Sequence, residues 1–373
     1  MKKKIYFENL DGLRFLCFLS VFFFHSFFSD NASILNSTSY LFVKKSLFAN
    51  GNLGVNFFFV LSGFLITYLL IEEKNINGRI DIPKFWMRRV LRIWPVYFFC
   101  VVFGFYIFPF IKTLFGQTST ETATLPYYIS FLSNFEFIKK GLPDASVLGV
   151  LWSVAIEEQF YFVWPIVLAF LPVRHYWMVF SAIILSSLIF RWNYDSYLMH
   201  EHHTLSCIGD MATGAFAAWL MLVNNKFKSW VSNWNKWGIA ILYLLFVFVF
   251  FKRDILVTES FVLRVFERWL IALVIAGIIL EQTFSTKSFF KLGNFKIAKL
   301  GQITYGLYCY HFIGILITIK VLAKAGLDQS LWQVLILQTA IALLLSIIIA
   351  KLSFRFFEKP FLKLKDRFAF ITK

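Results

Sequence analysis

The chain is 373 residues long, and 59% of them are hydrophobic, 20% aromatic and only 16% charged, where soluble domains carry roughly 45–50% apolar and about 25% charged residues. That composition, with 49 Phe and 12 Trp, excludes an ordinary soluble enzyme and makes lipid the solvent for much of the surface. The net charge of +16 sits mostly in segments between apolar runs, where it orients a membrane protein, so a lipid bilayer and not nucleic acid is the expected partner.

In chain order, apolar runs fall at 10–28, 53–71, 93–111, 152–171, 176–190, 205–223, 237–251, 265–280, 301–319 and 331–350. A membrane-spanning helix needs about 20 such residues. The runs centred on 183, 244 and 273 hold only about 15, and are expected to need snorkelling flanks or a thinned bilayer. The first run follows Lys2, Lys3 and Lys4 as in a signal peptide, but no small-x-small cleavage site follows it, so it reads as the first helix. With the N-terminus inside, 24 Lys and Arg fall on the inner side against 11 on the outer, which predicts that both termini are cytoplasmic. The expected fold is all-α, a polytopic bundle of about ten helices forming a single domain over 1–373, with no additional soluble domain. The longest outer loop, 112–150, contains Pro126, Gly141 and Pro143 and is expected to form a partial lid. All four cysteines lie in apolar runs, which argues against a disulfide framework.

Ionisable groups inside a bilayer are costly unless paired or facing a wet cavity, so they are the first place to look for chemistry. Arg14 and His25 are eleven residues apart in the first run; at 100° per residue they share a helix face, about 16 Å apart along the axis. Either residue has a structural alternative, snorkelling for Arg14 and a hydrogen bond to a neighbouring helix for His25. Glu157 and Glu158 open the fourth run, ahead of Gln159 and Pro165; they are read either as dipole-favoured capping groups or as the wall of a polar cavity. The ninth run carries Tyr308 and His311, and Asp210 begins the sixth; all three are candidates to line a cavity. Arg88, Arg89 and Arg92 fix topology, and their guanidinium forks also suit phosphates at a membrane surface. His200-Glu201-His202-His203 invites a zinc reading, but no further ligand set accompanies it, and no metal site is expected.

These residues resemble the acyltransferase-3 family of integral-membrane acyltransferases. The resemblance begins with Leu10-Asp11-Gly12-Leu13-Arg14 and the ten-residue interval to His25, and continues through Gly51 to Ile66. It takes in Arg88-Arg89-Val90-Leu91-Arg92-Ile93-Trp94-Pro95, Trp152 to Tyr161, Gly301 to Tyr308 with His311, and Ser353 to Pro360. These six blocks stand in the family's order, with Ala155-Ile156 where Ser-Val is frequent and Cys309 in the ninth-run block.

The resemblance implies a multi-pass enzyme of the bacterial cytoplasmic membrane. Such an enzyme moves an acyl group, commonly acetyl, from cytoplasmic acyl-CoA to a hydroxyl of a cell-surface or lipid-linked carbohydrate. Acyl-CoA is then a donor substrate, and no tightly bound cofactor is expected. On that reading His25 takes the proton of the attacking hydroxyl, which an imidazole with a pKa near 6.5 is suited to do, or, in second place, itself carries the acyl group as a covalent acyl-histidine. Glu157, or in second place Glu158, orients an imidazole or binds acceptor hydroxyls. Arg14 holds a phosphate or polarises the thioester, and Arg88, Arg89 and Arg92 hold the nucleotide end of the donor. Tyr308, His311 and Asp210 are expected to contact substrate. The competing reading is a transporter or flippase that uses the same buried charges as a pathway without making a bond.

Overall fold

The computed structural model describes residues 6–368, so Lys2 to Lys4 lie outside the described residues. Among the described residues 82% are helical and none is in a strand. A helix satisfies every backbone N–H and C=O without help from water, which lipid requires of a chain this apolar. The long helices are α1 (Glu8–His25), α2 (Leu53–Asn77), α3 (Ile82–Val102), α4 (Leu151–Phe170), α5 (Tyr176–Asn193), α6 (Thr204–Val223), α7 (Lys236–Glu259), α8 (Phe261–Phe284), α9 (Thr304–Lys324) and α10 (Thr339–Leu352). Each coincides with one of the ten apolar runs. Among the described residues seven helices are long and apolar enough to cross a membrane, or eight if α7 is joined to the short helix Asn225–Ser232 across an 86° bend. α1 and α8 stand outside that set because they carry charge: Glu8, Asp11 and Arg14 in the one, and Arg264, Glu267, Arg268 and Glu281 in the other. The protein is a multi-pass membrane protein built as a helical bundle.

The three expected short spans are not short: α5 has 18 residues, and α7 and α8 have 24 each. Their apolar runs end at Arg191, at Lys252-Arg253, and at Arg264 and Glu281, yet the helices continue; Arg191 and Arg253 meet Glu267 and Arg268, which lie inside the third run, in one buried ionic cluster. Arg191 lies 3.2 Å from Glu267, and Arg253 lies 2.8 Å from Glu267 and 2.5 Å from Glu201. Arg268 lies 2.8 Å from Asp210 and 3.5 Å from Glu201. Three arginines thus face three carboxylates, and all six residues are buried.

The core runs along α2. In its most apolar stretch 72% of the residues are buried, against 17% for the helix containing α5, which is left to face lipid. α2 crosses α6 at backbone contact: a Cβ on Gly63 would stand 1.9 Å from the Met211 carbonyl oxygen, and one on Gly214 would stand 2.0 Å from that of Val60. Small residues at such a crossing let two helices gain dispersion contacts that lipid would otherwise supply. α3 starts eleven residues before the apolar run does. Asp81 caps it by accepting from the Lys84 N–H at 3.1 Å, and Pro83 occupies its first turn. Lysines close two helix C-termini: Lys74 donates to the carbonyls of Leu168, Ala169 and Leu171 at the end of α4, and Lys44 donates to those of Phe24 and Ser26 at the end of α1.

The segment 112–150 is anchored to the bundle by hydrogen bonds, with Leu114 to Thr120 exposed. It contains the short helices Leu125–Ile129 and Ser133–Lys140. Lys112 pairs with Asp144 at 2.7 Å, the Tyr97 hydroxyl donates to the carbonyl of buried Tyr128 at 2.8 Å, and Gln159 Nε2 on α4 donates to the Phe131 carbonyl at 2.7 Å. The first link closes the segment on itself, and the other two tie it to α3 and α4.

Candidate functional site

α1 supplies both ends of the site. At its last residue His25 is partly exposed, and its ring lies 5.5 Å from that of His311 on α9, centroid to centroid. His311 is fully buried. Its Nδ1 is 2.7 Å from the Tyr308 carbonyl oxygen; a carbonyl only accepts, so Nδ1 carries the proton and Nε2 holds the lone pair. That Nε2 is buried and, among the described residues, has no hydrogen-bond partner. Phe18 and Phe22 of α1 and Phe312 of α9 wall the imidazole pair. Tyr308 is fixed in turn, its hydroxyl 2.6 Å from Ser153 Oγ, with both oxygens within reach of the Val150 carbonyl. α4 therefore positions α9, and α9 positions His311.

Three turns down α1, Arg14 is ion-paired with Asp11, which also accepts from the Tyr6 hydroxyl. Facing it on α3, Arg92 lies within electrostatic reach of Arg14, Asp11, Tyr161 and the buried Glu358. Glu157 accepts from Ser62 Oγ of α2 at 2.6 Å, and Ser62 accepts from the Tyr161 hydroxyl at 3.1 Å. Glu158, about 100° further round the helix, points instead to α3 and accepts from Trp94 Nε1 at 2.8 Å. The two glutamates stand seven and eight residues into the chain of α4, whose first turn contains no acid, so the capping alternative does not hold. Arg89 lies over the Tyr161 ring at 5.6 Å. Its Nε and the Oε1 of Glu158 are both buried without a partner among the described residues. A cavity of about 250 Å³ opens beside Asp11, lined among others by Tyr6, Gly293, Lys296, Lys299 and Gln302.

The sequence candidates thus divide. His25, Tyr308 and His311 form one group at one end of α1. Arg14, Arg89, Arg92, Glu157 and Glu158 converge near the other. Arg88 stands apart, its guanidinium held by Glu73 at 2.9 Å and by the Phe368 carbonyl at 2.9 Å. Asp210 also stands apart, taken up by Arg268 and by Asn56 Nδ2 at 3.3 Å. In the segment His200 to His203, Glu201 belongs to the ionic cluster and the His202 ring packs on Phe137 and Trp152. Among the described residues no group of three or more His, Cys, Asp or Glu is placed to hold a metal ion. The sequence reading singled out none of Asp11, Ser62, Tyr161, Ser153 or Glu358 for a role; the first four are polar groups inside apolar runs and carry that signal, whereas Glu358 lies beyond the last run between charged neighbours.

A model of an acyltransferase domain matches residues 7–351. The chain is 30% identical to the peptidoglycan O-acetyltransferase OatA of Listeria monocytogenes, over 96% of this chain and 56% of that protein. It is 27% identical to a putative O-acetyltransferase of Staphylococcus aureus, over 97% of this chain and 58% of that protein. A segment covering 44% of this chain is 33% identical to the O-acetyltransferase OatA of Staphylococcus aureus, covering 25% of that protein. The chain spans a little over half the length of the first two relatives. No solved structure matches it significantly. With a family model covering nearly the whole chain and the six sequence blocks brought together around α1, α3, α4 and α9, the chain belongs to the acyltransferase-3 family of membrane proteins.

Proposed function

We propose that this protein is a membrane O-acyltransferase of the bacterial cytoplasmic membrane. In this reading it moves acetyl from cytoplasmic acetyl-CoA to a hydroxyl of a cell-envelope carbohydrate. The observation that carries the reading is the layout of α1, which ends in an imidazole at one pole and meets a cluster of guanidinium groups and carboxylates at the other. A donor rich in phosphate suits the Arg14 end, and a neutral hydroxyl suits the His25 end.

Arg14 and Arg92 bind donor phosphate or polarise the thioester oxygen. Arg89, with an unpartnered Nε, joins them in place of Arg88, whose guanidinium is already held. Glu157, positioned by Ser62, orients these cations. His25 accepts the proton of the acceptor hydroxyl as its oxygen attacks. The departing thiol, with an ordinary pKa near 8.5, leaves as thiolate with little acid help.

The test is transfer of labelled acetyl from acetyl-CoA to endogenous acceptors in membranes holding wild type or His25→Ala, with equal folded protein confirmed in detergent. Loss of a general base of this kind costs about 10² to 10⁴ in rate, so label in the variant is expected to fall to background. Equal labelling in the two would remove His25 from the chemistry. Intact acetyl-CoA after incubation with wild type would favour a carrier over an enzyme.

A further inference from the structure

We infer that His311 carries the acyl group between donor and acceptor, a role that rests on the acyltransferase reading above. Two imidazoles stand 5.5 Å apart, and they are not equivalent. His25 ends its helix, partly exposed. His311 is fully buried at mid-helix, its Nδ1–H committed to the Tyr308 carbonyl and its Nε2 bare. A buried acceptor without a partner is costly and uncommon in a native interior. A lone pair held in one tautomer by a hydrogen bond on the opposite ring nitrogen is the arrangement of a nucleophile or base kept ready for use.

Size assigns the two roles. A hydroxyl borne on a glycan reaches only the exposed imidazole, whereas a two-carbon acyl group fits against the enclosed one. The Phe18, Phe22 and Phe312 rings keep bulk water from an acyl-imidazole, which would otherwise hydrolyse.

In the first step Nε2 of His311 attacks the thioester carbonyl carbon. The C–N bond forms, the C–S bond breaks, and its electron pair leaves on sulfur as CoA thiolate. The ring becomes an acyl-imidazolium whose positive charge is shared into the Nδ1–H···O=C bond to Tyr308. In the second step the acceptor oxygen attacks the acyl carbon while His25 takes its proton. The C–O bond forms, the C–N bond breaks, and its pair returns to Nε2. His25 then releases its proton to the thiolate, so one thioester and one alcohol become one ester and one thiol.

The test uses the purified full-length protein in detergent with ¹⁴C-acetyl-CoA and no acceptor, quenched and precipitated. His25→Ala is expected to retain protein-bound label, because the acyl group loads but cannot leave, with mass spectrometry placing the added acetyl on His311. His311→Gln, checked by gel filtration and thermal melting against His25→Ala, is expected to bind no label and to lose at least 100-fold in transfer to endogenous acceptors. Label on another residue would overturn the assignment. So would wild-type turnover with none trapped on His25→Ala, or His311→Gln transferring at more than a tenth of the wild-type rate. Those results leave the acyltransferase reading standing, whereas a wild type that never consumes acetyl-CoA overturns both.

Discussion

Lys44 stands at the residue on which the exposed imidazole depends. The last carbonyls of any α-helix lack partners within the helix, and at the end of α1 the Lys44 ammonium takes those of Phe24 and Ser26, the neighbours of His25 on either side. It lies in a short helical segment (Val43–Leu47) that continues the helix Thr38–Phe42, so a residue from a separate short helix fixes where the last residue of α1 points. Replacing Lys44 by Met is expected to lower kcat roughly 10- to 100-fold, as a small misplacement of a catalytic group does. The KM for acetyl-CoA should be unchanged if, as proposed, the donor's charged end is bound at the opposite pole. Lys44→Arg should restore most of the rate by donating to the same carbonyls. Unchanged kcat in Lys44→Met, measured on folded protein, would make the contact purely structural. Sequence reading found His25 because an imidazole in an apolar run stands out. It passed over Lys44 because a lysine between two apolar runs looks like any other, and only the fold brings it back to α1.

Among the elements, the α2–α6 crossing sets the frame on which the site hangs. α2 carries Ser62, which holds Glu157, and its neighbour Gly63 touches α6. A side chain at Gly214 would meet the Val60 carbonyl, a backbone atom that cannot swing aside. Overpacking costs about 1–3 kcal/mol where side chains can adjust, and more is expected here. Gly214→Leu should therefore yield little monodisperse protein in detergent, while Gly238→Ala, where the added carbon meets only the Asn235 side chain at 3.2 Å, should behave as wild type. Size-exclusion profiles of the two compare them directly; a normal profile for Gly214→Leu would show that the helices can part. Hydropathy made every long helix legible, but not its ends. α5, α7 and α8 read as short because a charge in the sequence looks like the edge of the membrane. Within the bundle the same charge is neutralised and the helix carries on.

For the molecule as a whole, the ionic cluster of Arg191, Arg253, Arg268, Glu201, Asp210 and Glu267 ties α5, α6, α7, α8 and the short helix Tyr197–His202 into one body. Breaking a buried pair by removing one partner costs roughly 3–5 kcal/mol, because the other charge is left unpaired. Arg268→Ala should lose about that much stability, measured by thermal or denaturant unfolding in detergent. The double variant Arg268→Ala with Asp210→Ala should lose clearly less than the sum of the two single changes. Strict additivity would mean that the two groups do not act as a pair. Composition alone made the fold class legible, and intramembrane charge marked most of the residues that the fold gathers into the candidate site. It could not tell Asp210, paired with Arg268, from Glu157, held by Ser62, because both are acids in apolar helices and only long-range packing separates them.

The same cluster bears on how the chain is made. α8 bears Arg264, Glu267, Arg268 and Glu281, and a single Arg or Asp at a helix centre disfavours insertion by about 2.5–3.5 kcal/mol. On its own α8 is a poor candidate for entry into lipid. Its partners, Asp210 on α6 and Arg253 on α7, leave the ribosome first and await it. α9 follows α8, so the imidazole of His311 meets that of His25, borne by the earlier α1, only after this charged helix has been accepted. The order of synthesis thereby keeps the two histidines apart until the bundle around them is nearly complete.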